Sequence, residues 1–318
     1  MARVRAAPEF GCIKPAHSLP TINGVGPSCI GLPPGSWPTI TDFLVERFPA
    51  VTRDVWLERM ASQLVMDEYG ALVTPERPYP GHIRIYYYRA VEVEARIPFD
   101  EAVLYQDAHL VVADKPHFLP VTPSGHYLQE TLLVRLKKRL GIEALVPIHR
   151  IDRETAGLVL FSINPGERDA YQSLFRNRSV TKHYEAIAPW RKDLTLPVSR
   201  KSRIVEGVPF FRQHEVPGNP NSETRIELME TKGHLDQLGQ FGQLARYALS
   251  PITGKKHQLR VHMNALGIPI LNDRMYPPVA DTQGDDYAAP LQLLAKSITF
   301  DDPVTGQKRY FQSQLNLM

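Results

Sequence analysis

The spacing of apolar positions divides the 318-residue chain into three stretches. Residues 1–38 carry seven Pro and five Gly without a periodic apolar pattern, and they read as a flexible leader with no secretory signal core. From residue 41 the period becomes helical. Thr41 can cap a helix carrying Phe43, Leu44 and Phe48, and Thr52 a second carrying Val55, Trp56 and Met60. Val65-Met66, Leu72-Val73 and the alternation Ile83, Ile85, Tyr87 then predict short strands joined by turns at Gly70 and Pro80-Gly81. Together these make a small accessory module over residues 39–90.

Residues 91–318 form the third stretch. Val103-Leu104-Tyr105 and 110–113 predict two strands around a polar turn, and Pro116, Pro120 and Pro123 force an extended loop after them. A helix over 128–140 would place Leu128, Leu132, Leu136 and Leu140 on one face and turn Arg135, Lys137, Lys138 and Arg139 mostly outward. The apolar run 157–163 predicts a strand buried on both faces, followed after Pro165 by a helix with Tyr171, Leu174 and Phe175 inward. Further strands are expected at 182–188, 224–229, 244–249 and 296–300, and a helix at 257–266. Strands and helices do not alternate regularly, so the fold class is α+β with a mixed or antiparallel sheet.

Composition narrows the function classes. A 43% hydrophobic content supports a sizeable core, while the absence of any run of about 18 apolar residues excludes a spanning helix. Cys12 and Cys29 alone cannot make a disulfide framework or a cysteine zinc site, which fits a reducing, cytoplasmic setting. The net charge of +3 is small, but residues 135–212 carry 16 Lys/Arg against 8 Asp/Glu, a surplus of +8 that leaves −5 for the remainder. Such a zone attracts a phosphate backbone or forms a solvated basic face.

Two clusters could carry chemistry. His149-Arg150-Ile151-Asp152-Arg153 lies just before the apolar 157–163 run, where charges need partners; Asp152 is either part of a structural ion-pair network or a catalytic carboxylate. In 254–262, residues 257, 260 and 261 can share a helix face, turning Arg260 inward. His257 and His262 lack the i, i+4 spacing of a metal pair, so no metal site is expected.

The ordered blocks resemble the RluA-type RNA pseudouridine synthases. Residues 149–158 (HRIDRETAGL) are similar to the family's His-Arg-Leu-Asp-x-x-Thr-Ser-Gly-Leu, and 103–122 to its strand-turn-strand with Asp-Lys-Pro and Leu-Pro-Val. Residues 181–186 are similar to its Lys-x-Tyr-x-Ala, and 254–276 to its Gly-Arg-x-His-Gln-Ile-Arg-Val-His block with trailing Gly-x-Pro-Ile and Asp-x-x-Tyr. Departures are Ala156 for Ser, Lys255 for Arg and Asn272 where Gly usually precedes Asp273.

The resemblance implies a pseudouridine synthase fold, two sheet-based halves flanking a basic cleft, over residues 91–318, with 39–90 as an S4-like module. That module mixes Glu46, Asp54 and Glu58 with Arg47, Arg53 and Arg59, and so lacks a basic face. The implied reaction isomerises uridine in structured rRNA or tRNA without a cofactor: the C1′–N1 bond breaks, the base turns and C1′ joins C5. Asp152 would be the essential acid, as nucleophile or as base for the 2′ proton, with Arg260 paired to it and Tyr184 stacked on the base. Arg150 would fill the gap left by the flipped nucleotide. His149, Lys182, His257, Gln258, Lys137, Lys138 and Arg139 are the further candidates for RNA contact. No protein partner and no membrane are called for, and a monomer is expected. A non-catalytic RNA-binding or folding factor that retains the fold is the alternative, and a hydrolase using Asp152 a more distant one.

Overall fold

Threonine caps set where three of the helices begin. The side chains of Thr39, Thr52 and Thr131 accept backbone N–H groups of the first turns of α1 (Ile40–Arg47), α2 (Arg53–Ala61) and α3 (Leu132–Leu140). Thr39 makes a full capping box with Asp42, so α1 starts one residue before Thr41. Thr41 itself is buried and donates to the Pro75 carbonyl (3.0 Å). The computed structural model describes residues 19–89, 94–209, 211–232, 243–277 and 284–318, and contacts divide the chain into units Met1–Glu94 and Ala95–Met318. Among the described residues no helix is long and apolar enough to cross a membrane.

The first unit packs α1 and α2 on an antiparallel sheet of β1 (Ser28–Gly31), β2 (Val65–Asp67) and β3 (Arg84–Tyr87), in the order β1-β3-β2. Ile40, Leu44, Trp56, Val65 and Ile85 form its core. The leader expected over 1–38 is thus corrected at its C-terminal end: Ile30 pairs with Ile85, and Leu32 is buried. Counting Pro and Gly hid this strand, because Gly31 and Pro33-Pro34 end it rather than prevent it. The rest of the leader, with Cys12, lies largely outside the described residues. Leu72 makes a single bridge to Met66 where a strand was expected.

The second unit holds β4 (Ala102–Gln106), β5 (Leu110–Lys115), β6 (Val146–Pro147), β7 (Ala156–Ser162), α4 (Arg168–Arg176) and β8 (Thr181–Pro189). There follow β9 (Val198–Glu206), β10 (Gln213–Val216), β11 (Ser222–Lys232), β12 (Leu244–Pro251), α5 (Gln258–Ala265), β13 (Leu293–Asp301) and β14 (Lys308–Gln312). One sheet runs β10-β9-β11-β12-β8-β13-β7-β5-β4, with β14 on β13 and β6 on β7. Only the β13–β7 pair is parallel, so the mixed α+β expectation holds. One core cluster joins α5 to β8, β11 and β12; another joins α3 to β5 and β7.

Helix α3 begins at Leu132, not Leu128. Its first amides are taken by the Pro120 and Val121 carbonyls (2.8 and 3.0 Å), which tie the proline loop to the helix. Gly141, in the left-handed region, ends it. Strands β9, β10 and β14 were not expected, because VSRKSRIVE, QHEV and KRYFQ are rich in the polar and charged residues that strands tend to lack.

The sheet register sets the functional geometry. Lys115, Gly157, Ala295, Tyr184 and Leu249 form one row across β5, β7, β13, β8 and β12. Tyr184 therefore stands two strands from Gly157, about 10 Å away at standard strand spacing. Gly157 has φ 108°, and a Cβ there would lie 2.3 Å from the Ala295 carbonyl oxygen. No side chain fits in this crossing. Gly157→Ala is expected to lower stability by about 3 kcal/mol or more, from backbone strain plus overpacking. Urea unfolding measures this, and an unchanged midpoint would contradict the close approach.

Candidate active site

The motif loop between β6 and β7 is tied from below to the segment after β5 by a buried ammonium. Lys115 is buried, and its Nζ donates to the carbonyls of Pro116, Leu119 and Arg153 (2.9, 2.8 and 2.9 Å), the full donor set of an ammonium. Burial pulls its pKa down to about 7, opposed by the charges of Glu154 and Asp152. His117 Nδ1 lies 2.7 Å from the Glu154 carbonyl, and the Thr155 amide closes a turn on the Asp152 carbonyl (3.2 Å). The loop is fixed at both ends of the Asp152–Thr155 turn.

Arg260, on α5, is 1% exposed and sits among three carboxylates. Its Nε and one terminal nitrogen donate to the two oxygens of Asp273 (2.8 and 2.7 Å), a bidentate pair with Asp273 fully buried. Asp273 also accepts the amides of Met275 and Tyr276 (2.8 and 3.1 Å). The other terminal nitrogen faces Asp152 at 3.5 Å and Glu154 at 3.6 Å. The expected pairing of Arg260 with Asp152 is present, but it is the looser contact; the tight partner is Asp273. Burial pushes the guanidinium pKa down, while Asp273, Asp152 and Glu154 raise it further, for a net upward shift. Burial likewise pushes the Glu154 carboxyl up, yet Arg260 and Arg153 hold it below the usual range.

His257 stands on the other side of Asp152, in the left-handed region (φ 55°) just before α5, with Nε2 3.9 Å from Asp152 Oδ1. Its Nδ1 lies 2.9 Å from the Tyr276 hydroxyl, which accepts the Gln213 amide (2.7 Å). Burial lowers the His257 pKa and keeps the ring neutral.

Above this frame opens a cleft of about 1420 Å³. It exceeds the roughly 300–1,000 Å³ of an ordinary small-molecule pocket. Among the described residues lining it, eight are Lys or Arg and Asp152 is the only carboxylate. Asp152 is 24% exposed and reachable from the cleft. Tyr184 lines the same space, and burial, with the charge of Asp152, pushes its hydroxyl above its ordinary range, so it stays protonated.

The structure gathers Asp152, Tyr184, Arg260, Arg150, His149, Lys182, His257 and Gln258 around the cleft. Arg150 is exposed there with no ion pair among the described residues. Two of these candidates make hydrogen bonds that hold the frame. Gln258 uses both amide hydrogens on Glu223 and Thr224 and receives Thr253 and Lys255 on its oxygen, which exhausts its hydrogen-bond capacity. His149 accepts the Leu160 amide at Nε2 (3.2 Å) and stacks on Phe175, and burial pushes its pKa down to about 3.

The cations of α3 are not among the cleft-lining residues. Lys137 is buried rather than turned outward, Lys138 donates to Gln129, and Arg139 faces Glu101. Their place at the cleft is taken by Arg176 and Arg178 at the end of α4 and by Lys255 and Lys256 before α5, all exposed. The sequence reading gave no role to Glu154, Asp273, Tyr276 or Lys115; all four lie in the matched blocks, Glu154 at a position the motif leaves unspecified, and the blocks were the available signal. Asn272, at φ 63°, explains one departure, since Asn is among the side chains that tolerate this region.

A reachable carboxylate and a protonated tyrosine in a wide cation-lined cleft are the features of a catalytic site for an anionic substrate. The comparisons give the chemistry. The family model described as RNA pseudouridylate synthase matches residues 109–265. The dual-specificity RNA pseudouridine synthase of Pasteurella multocida is 31% identical over 226 residues, 66% of this chain and 90% of that protein. The mitochondrial tRNA pseudouridine(32) synthase of Saccharomyces cerevisiae is 29% identical over 178 residues, 55% of this chain and 36% of that one. The solved structure of human RNA pseudouridylate synthase domain containing 1 shares the fold, with TM-score 0.56 at 20% identity over 70% of this chain and 86% of that chain. The chain belongs to the RluA-type family of RNA pseudouridine synthases, isomerases that convert uridine in RNA to pseudouridine.

Asp273→Asn is expected to leave Arg260 buried without its fork partner and to cost about 3–5 kcal/mol. Chemical denaturation reads this directly; a loss below about 1 kcal/mol would show that the Asp273–Arg260 pair does not carry the frame.

Proposed function

We propose that Asp152 is the group that reacts, in the isomerisation of specific uridines in ribosomal or transfer RNA. The observation that carries this is the position of Asp152: the only acid among the described residues lining the cleft, fixed on a turn and flanked by Arg260 and His257. The reaction is redox-neutral and consumes nothing. A carboxylate at this place serves attack at C1′ or removal of the 2′ proton, after which the C1′–N1 bond breaks, the uracil turns and C1′ joins C5; the C5 proton passes to solvent and N1 gains one. Tyr184, protonated and half-buried, offers its ring face to the uracil while it turns. Arg150 occupies the space of the extruded nucleotide, which such chemistry within structured RNA requires. The printed names of the relatives, one dual in specificity and one acting on tRNA, support a structured RNA target. The protein acts as a cytoplasmic monomer in this reading, and six Arg against seven Asp/Glu over residues 19–89 give its S4-like first unit no phosphate-binding surplus.

Asp152→Asn is expected to abolish tritium release from RNA carrying 5-tritiated uridine while RNA affinity stays within about three-fold, because phosphate contacts supply most of the binding. Substantial release by the variant would remove Asp152 from this role.

The RNA path follows Arg176, Arg178, Lys255 and Lys256. Replacing all four with Gln is expected to flatten the slope of log affinity against log salt by about 0.7 to 0.9 per lost phosphate contact. Replacing Lys138 and Arg139 should leave it unchanged. Fluorescence anisotropy titrations decide; the opposite pattern would return the path to α3.

A further inference from the structure

We infer that Glu154 is a positioning residue for the isomerisation: it shares the Arg260 guanidinium with Asp152 and so keeps Arg260 from closing onto the reacting carboxylate. The inference rests on the role proposed for Asp152. Glu154 occupies a position that the family motif leaves open, since the residues between the acid and Thr155 are unspecified in it.

The geometry is that of one donor between two acceptors. Arg260 spends two of its three nitrogens on Asp273 at 2.7 and 2.8 Å. The third stands 3.5 Å from Asp152 Oδ2 and 3.6 Å from Glu154 Oε2, outside the 2.7–3.2 Å of a well-formed N–H···O bond to either. Glu154 cannot swing away. Its carbonyl is held by His117, its other oxygen takes Arg153 Nε at 3.2 Å, and Arg153 is forked onto Asp285 at 2.9 and 2.6 Å. The remaining groups around the pair are the neutral His257, Lys115 committed to three carbonyls beneath the loop, and the protonated Tyr184 and Tyr276. None of these competes for the third nitrogen of Arg260; Glu154 does.

The consequence is chemical. A close Arg260–Asp152 bond would hold negative charge on the carboxylate and blunt it as nucleophile or base. Glu154 pulls the shared nitrogen back and adds a like charge beside Asp152, both of which keep the carboxylate reactive.

Glu154→Gln removes that charge and leaves Arg260 to Asp152. In single-turnover tritium release on a preformed stem-loop at pH 7.5, the expected result is a rate at saturating enzyme lower by about ten-fold. RNA affinity by anisotropy and the thermal midpoint should remain near wild type. Glu154→Asp, which keeps the charge, should restore most of the rate. An unchanged rate in the Gln variant, no rescue by the Asp variant, a loss carried by RNA affinity, or failure of both variants to fold would overturn the inference and leave Glu154 a structural residue. Absence of tritium release by the wild-type chain would overturn the activity itself, a separate outcome.

Discussion

The guanidinium of Arg260, 1% exposed, is the charge around which the site is assembled. A buried cation persists only where hydrogen-bonded carboxylates replace the water it has lost. Asp273 supplies the fork, and the amides of Met275 and Tyr276 fix Asp273 in turn. From Arg260 the signs alternate outward through Glu154 and Arg153 to Asp285. Asp152 is the one carboxylate of this network among the described residues lining the cleft, so its placement follows from the partners that surround it.

The sheet supplies the second constraint. The row Lys115, Gly157, Ala295, Tyr184 brings the support under the motif loop, the start of β7 and the tyrosine into register across four strands. Its junction is the parallel β13–β7 pair, where Gly157 admits the Ala295 carbonyl. The motif glycine is therefore a packing requirement that fixes how far Tyr184 stands from the loop carrying Asp152. Helix α5 completes the arrangement by delivering Arg260 and His257 from one turn, with Gln258 locking its start to β11.

Local patterns made much of this legible. The β7 run, α4, α5 and the strands carrying the matched blocks were readable because their apolar periodicity and turn residues are local signals. Asp152, Tyr184, Arg260 and Arg150 were readable because three ordered family blocks carry them, and all four line the cleft. Three features were not readable. The partner of Arg260 lies thirteen residues on and is chosen by tertiary packing. Gln258 spends its polar atoms on the backbone and on neighbouring side chains, and His149 gives its Nε2 to the Leu160 amide, neither of which spacing can reveal. The surplus of charge over residues 135–212 counted α3 with α4, but charge summed along the chain carries no information about facing: Lys137 is buried and Arg139 turns to Glu101.

The central claim is that the forked geometry of Arg260, beyond its charge, sets up Asp152 for uridine isomerisation. Lysine keeps the charge but cannot bridge Asp273 while facing Asp152. The direct test is pseudouridine mapping of total RNA from cells lacking the gene, complemented with wild type or with Arg260→Lys at equal protein abundance. The account predicts that pseudouridines lost on deletion return with the wild-type chain and stay absent with the lysine variant. Full restoration by Arg260→Lys would contradict it.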